Sequence, residues 1–222
     1  MNDTLPAPVG ALALSYDKAS ILARFPLRAA YQMTITSASA GGRSTLLEGL
    51  RAALGEGFAY VSAGSFMRKI AATLGMSIEQ FAEHASRNPD YDARCDKMMA
   101  DAALESEQFV GEGRVPHIMA PRAFHVRIVC PVQVRAERRF LQLRMQARDR
   151  RAKRRLKYVE TLKAVLDRDI TDAERYEALY PGYDWPDEHF DLVVENECLS
   201  PEQTLEKVLA GFSEHRKRFN GS

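Results

Sequence analysis

Residues 33–45 read MTITSASAGGRST. A short β-prone run opens into small residues and two glycines, then meets an arginine and two hydroxyls. Small side chains let an anion approach successive backbone N–H groups, and a helix starting just after them adds its positive dipole end. The usual phosphate-loop pattern is G-x-x-x-x-G-K-[ST]. Here Ser37 stands at the first glycine and Arg43 at the lysine, while Gly42 and Ser44 keep their places. A glycine-containing strand-to-helix turn with no ligand fits the same residues, so the surrounding pattern has to discriminate.

That pattern alternates strand and helix. Residues 33–36, 58–62, 108–111, 125–130 and 190–195 are short apolar runs, predicting five strands. Between them, residues 44–54 place Leu46, Leu47, Leu50 and Leu54 on one helical face and stop at Gly55. Residues 64–74 read as helix, and Ser77 with Gln80 forms a capping box opening another. Asn88-Pro89 breaks it before helical character resumes over 91–104. A long charged helical region separates the fourth and fifth strands. Ser200, Pro201 and Gln203 start a last helix with Leu205, Val208, Leu209 and Phe212 facing inward. Strands separated by helices predict a parallel sheet covered on both faces, with ligands at the strands' carboxyl ends. The loop at 37–45 sits at such an end. The expected fold is therefore α/β: a three-layer α/β/α phosphate-loop domain with a five-stranded parallel sheet.

The chain has 222 residues, 45% of them hydrophobic, which is enough for one substantial core. Its 31 basic and 30 acidic residues nearly balance, so nothing global calls for nucleic acid or a membrane. Cys95, Cys130 and Cys198 are odd in number and lack metal-pair spacing, which favours structural thiols in a reducing compartment. There is no long apolar run, and the start MNDTLPAP lacks the basic region of a signal peptide, so the expected location is cytoplasmic. Residues 1–30 form an N-terminal extension. Residues 11–31 read first as a tail with no part in chemistry, and alternatively as a helix packed on the body or against a second copy of the chain, giving a homodimer.

Phosphoryl transfer mainly requires two phosphates held in line while positive charge neutralises the oxygens between them. Arginines at strand ends are the corresponding signal. Arg68 follows the second strand, Arg114 the third, and Arg135, Arg138 and Arg139 the fourth. Each alone reads as a solvated surface residue; their recurrence after three strands points to phosphate.

Ordered motifs extend this reading. They are Ala40-Gly-Gly-Arg43, Tyr60-Val-Ser-Ala-Gly64 with Arg68, and Glu112-Gly-Arg114, followed by Val134-Arg-Ala-Glu-Arg-Arg139 with Phe140-Leu-Gln-Leu143. Then come Arg168-Asp-Ile-Thr-Asp172-Ala-Glu-Arg175, Phe190-Asp-Leu-Val, and Leu199-Ser-Pro-Glu202. Over roughly residues 33–212 the chain resembles the cytidylate kinase-like branch of the nucleoside monophosphate kinases. The resemblance implies a kinase-like domain over 31–222, with a helical acceptor flap at about 64–104 and a helical lid at about 140–175. It implies ATP and Mg²⁺ as cofactors and a pyrimidine nucleoside monophosphate, CMP or dCMP, as acceptor. Ala38, Ser39, Ala40, Gly41, Gly42, Arg43, Ser44 and Thr45 would wrap the donor phosphates. Ser44 would approach the metal, and Arg43 would take the lysine's place with its side chain turned to the phosphates. Ser62, Gly64, Arg68 and Arg114 would grip the acceptor phosphate, and Asp172 and Arg175 its sugar side. Arg139 and Arg168 would close over the transferring group.

Four positions depart from the family pattern: Ser37, Arg43, Ser65 where archaeal-type enzymes often carry an acid, and Val115 where bacterial ones carry aspartate. The last two remove carboxylates from near the expected reaction centre. A catalytically impaired nucleotide-binding module, or a kinase for another small hydroxyl compound, remains open on the same fold. Residues 144–157 carry eight basic residues in fourteen. No aromatic interleaves them to stack bases, which argues for a phosphate-binding lid over a nucleic-acid surface. The five histidines show no metal or triad spacing, and Trp185 with Tyr176, Tyr180 and Tyr183 would pack the lid base on the core.

Overall fold

The computed structural model describes residues 30–220, apart from 89 and 185. The predicted extension over 1–30 and the packing of Trp185 therefore lie outside the described residues, except for residue 30 itself. Strands β1 (Gln32–Ser37), β2 (Ala59–Ser62), β3 (Phe109–Gly113), β4 (Phe124–Val129) and β5 (Leu192–Glu195) form one parallel sheet in the order β2-β3-β1-β4-β5. The helices are α1 (Arg43–Leu54), α2 (Ala63–Thr73), α3 (Ile78–Ser86), α4 (Asp90–Glu105), α5 (Pro116–Met119), α6 (Val132–Gln146), α7 (Arg150–Arg155), α8 (Tyr158–Leu179) and α9 (Pro201–Asn220).

Alternation along β1 and β4 assigns the layers. Met33, Ile35, Phe124, Val126 and Ile128 pack with Leu46, Leu47 and Leu50 of α1 and Val208 and Phe212 of α9. Burying an aliphatic or aromatic side chain of this kind contributes about 1.5–3 kcal/mol. The opposite face buries Phe109 with Met99, Ala100 and Ala103 of α4, Met119 of α5, and Tyr176 and Tyr180 around the end of α8. The tyrosines thus seat α8 on the body. Thr34 and His125 face the same side and satisfy each other at 2.7 Å, so this face tolerates polar groups that are paired.

Local signals behaved as local physics dictates. Ser77 and Gln80 form the reciprocal capping box of α3, whose Phe81 and Ala85 are buried. Ser200 and Gln203 exchange the same two bonds at the start of α9, and Gly55 ends α1 at φ 81°. Two strand limits differ from expectation by two residues, the others by at most one. β3 runs on through Glu112 and Gly113, because it lies between β1 and β2 and Glu112 pairs in register with both Ile35 and Ser62. β5 begins only at Leu192, since the Asp191 carboxylate accepts the His125 backbone N–H at 2.7 Å and a short 3₁₀ turn, Asp187–His189, precedes it. The long charged region is three helices: Asp149 caps α7 through the Ala152 N–H at 2.7 Å, and α6 meets α8 where Phe140 lies edge-on to Tyr158 at 6.0 Å.

From β1 the chain crosses to the β2 side of the sheet, whereas from β4 it proceeds outward to β5. The carboxyl ends of β1 and β4 therefore flank a topological switch point, where open α/β sheets place ligands.

Candidate active site

The loop after β1 is open to an anion. Ala40 adopts φ 56° and Gly42 φ 93°, alternations of backbone hand that fold the loop tightly, with the Gly41 N–H donated to the Ala38 carbonyl at 3.2 Å. Gly42 is the N-cap of α1 and provides no side-chain cap, and the first turn carries no acid. The first-turn N–H groups have no intrahelical partners. A Cβ built at Gly41 would lie 2.6 Å from Ser37 Oγ, so the serine at the first loop position makes glycine at 41 a steric requirement. Ser44 and Thr45, on the first turn, are exposed.

Arg43 turns inward, away from solvent. Its side chain is 17% exposed, and Nε lies 3.3 Å from Oε2 of Glu112, itself 3% exposed. Burial, with Arg114 nearby, pushes the guanidinium down to about 10, even though Glu112 favours its charge. Nη1 is buried and has no hydrogen-bond partner. Ser62 donates to the other oxygen of Glu112. Ser65 and Val115 contribute no carboxylate here, but other positions do: Glu112 supplies one, buried between the loop arginine and the end of β2, and Asp92, Asp169 and Asp172 supply more.

Arg114, Arg168, Asp172 and Arg175 are brought together. Arg114 donates Nε to Asp172 at 3.0 Å, Nη2 to the same carboxylate, and Nη1 to the Ser37 carbonyl at 2.6 Å. Arg175 Nη2 reaches Asp172 at 3.2 Å and its Nε lies 3.6 Å from Asp92. Arg168 stays half in solvent, 3.8 Å from Asp172. One carboxylate on α8 thus gathers three arginines. Arg68 stands apart from them: exposed on α2, it donates to Ser65 Oγ at 2.9 Å and lies over Gly64, where an added Cβ would meet its Nη1 at 3.4 Å. Arg139 also stays apart, donating to Gln142 at 2.9 Å.

The sequence marked Arg135 only as a strand-end arginine, and gave no sign of Asp169, Asn196 or the pairing of Glu112 with Arg43. Arg135 is 6% exposed and donates to the carbonyls of Cys130 (3.0 Å) and Ser39 (2.8 Å) and to Asp169 (2.6 Å). Asn196, just beyond β5, donates Nδ2 to the Gly41 carbonyl at 3.2 Å and is held by Arg138. Glu112 and Arg135 lay inside recognised motifs; nothing local marks Asn196.

At the switch point lies a cleft of about 270 Å³, lined among others by Ser37, Arg114, Arg127, Asp172, Tyr176 and Tyr183. A glycine-containing loop, a buried cation at its helix start and a cluster of arginines nearby suit two phosphate groups brought together.

No family model matches the chain. It is 30% identical over 178 residues to a cytidylate kinase of Ignicoccus hospitalis, covering 79% of this chain and 95% of that protein. It is 31% identical over 181 residues to a cytidylate kinase of Pyrococcus abyssi, covering 80% and 91%. Solved structures share the fold at lower identity. A gluconokinase from Sinorhizobium meliloti superposes with TM-score 0.51 at 14% identity, over 87% of this chain and 97% of that one. An uncharacterised protein from Eubacterium ventriosum superposes with TM-score 0.55 at 12% identity, over 82% and 97%. With near full-length similarity to both archaeal enzymes and the fold and strand-end site described, the chain belongs to the cytidylate kinase family.

Proposed function

We propose that this protein transfers the γ-phosphoryl group of ATP to a pyrimidine nucleoside monophosphate, CMP or dCMP first, using Mg²⁺. The observation that carries this is the buried Arg43 guanidinium, at the first turn of α1, with an Nη1 that has no partner. A buried charged donor without a partner costs free energy, and a triphosphate in the loop would satisfy it. Family membership supports ATP as the donor.

In this reading residues 38–45 bind the β- and γ-phosphates through backbone N–H groups and the α1 dipole. Mg²⁺, when bound, would neutralise charge on the transferring oxygens, and Ser44, exposed on the first turn of α1, is the residue of this chain that would approach it. Arg43 places positive charge beside the donor, and Glu112 orients it. Arg68, on α2, swings in with the flap to meet the acceptor phosphate, joined by Arg114, with Ser62 and Gly64 at the edge of that site. Asp172 and Arg175 address the sugar side. Arg139 and Arg168 close from the lid over 140–175 and exclude water. A cytoplasmic location fits the three free cysteines; among the described residues no helix is long and apolar enough to cross a membrane.

A second reading is a nucleotide-binding module without turnover. It is favoured by one observation, the engagement of Arg43 by Glu112. A coupled ADP-release assay over nucleoside monophosphates and small alcohols separates the two. Turnover with CMP or dCMP supports the kinase; ATP binding with no turnover on any acceptor supports the module, and turnover on an alcohol alone refutes the acceptor assignment.

A further inference from the structure

The carbonyls of residues 37, 39 and 41 are each held by a different side chain: Ser37 by Arg114 at 2.6 Å, Ser39 by Arg135 at 2.8 Å, and Gly41 by Asn196 at 3.2 Å. In a trans peptide the C=O and the following N–H point opposite ways. Fixing the three oxygens therefore also fixes the N–H groups of Ala38, Ala40 and Gly42, which point the opposite way from the oxygens. Two of the three donors are cationic, so these bonds are charge-assisted and also polarise the N–H groups. They arise from the ends of three elements, β3, the start of α6 and β5, which makes the loop the common anchor of the sheet's carboxyl edge.

Both arginines are themselves set by α8. Arg135 Nη2 donates to Asp169 at 2.6 Å and Arg114 Nε to Asp172 at 3.0 Å. The two aspartates are three residues apart and share a helix face. Arg135 uses its Nε and both Nη groups within the protein. At 6% exposure it presents no free edge to a ligand, so its role differs from that of the lid arginines.

We propose that Arg135 and Asn196 are positioning residues for the donor loop, and that Asp169 on the lid helix sets its shape through Arg135. Helix α8, with Asp169 and Asp172, and the phosphate loop are then one mechanical unit, and a shift of α8 is transmitted to the loop amides. The ATP consequence rests on the donor-site reading above; the clamp itself does not.

The test uses the full chain with Arg135→Met, Asn196→Ala, Asp169→Leu and Asp169→Asn. Without ligand, amide exchange across 37–43 should quicken at least tenfold in the first three variants. Asp169→Asn keeps an oxygen acceptor for Arg135 and should stay within threefold of the parent. With Mg-ATP, the Kd for ATP should rise tenfold or more in Arg135→Met, with the acceptor KM changed less than threefold. If melting temperature falls while loop exchange and ATP affinity match the parent, the arginine is merely structural and the proposal is overturned. Should Arg135→Met fail to fold, Asn196→Ala, which removes no charge, decides the clamp alone: unchanged exchange overturns it. A parent that binds no ATP would refute the donor-site reading, while the exchange comparison would still decide the clamp.

Discussion

Replacing Glu112 by glutamine tests the buried pair on which the loop's electrostatics rest. The carboxylate is 3% exposed and lies 3.3 Å from Arg43, whose side chain is 17% exposed. At that distance and an effective dielectric near 20, Coulomb's law makes the attraction about 5 kcal/mol. Glutamine keeps the volume and an acceptor for Ser62 but leaves the Arg43 charge buried, with Arg114 still repelling it. Removing one partner of a buried pair costs about 3–5 kcal/mol. The expectation is a loss of about 3 kcal/mol or more in unfolding free energy, read from urea transitions at pH 7.5. Arg43→Met should also destabilise. The double variant, which leaves no uncompensated charge, should be more stable than the sum of the single effects predicts, by about 2 kcal/mol. A Glu112→Gln protein within about 1 kcal/mol of the parent, with additive effects in the double variant, would refute the reading of Glu112 and Arg43 as a buried, mutually dependent pair.

Burial pushes Asp96 up to about 7, opposed by the hydrogen bond from Tyr180. The folded state then holds a proton that the unfolded chain releases near pH 4, so stability should fall by up to roughly 4 kcal/mol as pH rises from about 4 to 7. Asp96→Asn should flatten that slope in urea unfolding at pH 5 and 8; an identical slope in the variant would exclude Asp96 as its source. Arg68→Ala should raise the acceptor KM roughly ten- to a hundredfold, with ATP affinity intact and, because Arg68 is exposed, stability within about 0.5 kcal/mol; an unchanged KM would remove Arg68 from the acceptor site. Gly111→Ala would bring a Cβ to 2.6 Å from both the Met99 sulfur and the Phe109 ring. It should destabilise by about 1–3 kcal/mol in thermal or urea unfolding, and a neutral result would show that this face of the sheet relaxes freely.

What the sequence by itself determined is what depends on near neighbours. The capping boxes at Ser77 and Ser200, the stop at Gly55 and the apolar face of α1 act within a few positions, and all are found as read. Arginines after strands were legible too, since a strand's end is local. Their fates were not. Arg68 and Arg135 looked alike on the page, yet one is exposed and the other is buried against Ser39 and Asp169. The difference lies in partners at long range: Arg114 finds Asp172 58 residues away, Arg135 finds Ser39 at 96, and Asn196 finds Gly41 at 155. Those meetings exist only because the strand order β2-β3-β1-β4-β5 brings the carboxyl ends of β3, β4 and β5 around the loop after β1. Charge at short range is strong only where water is excluded. Which charges are excluded from water is decided by packing, which no local pattern encodes.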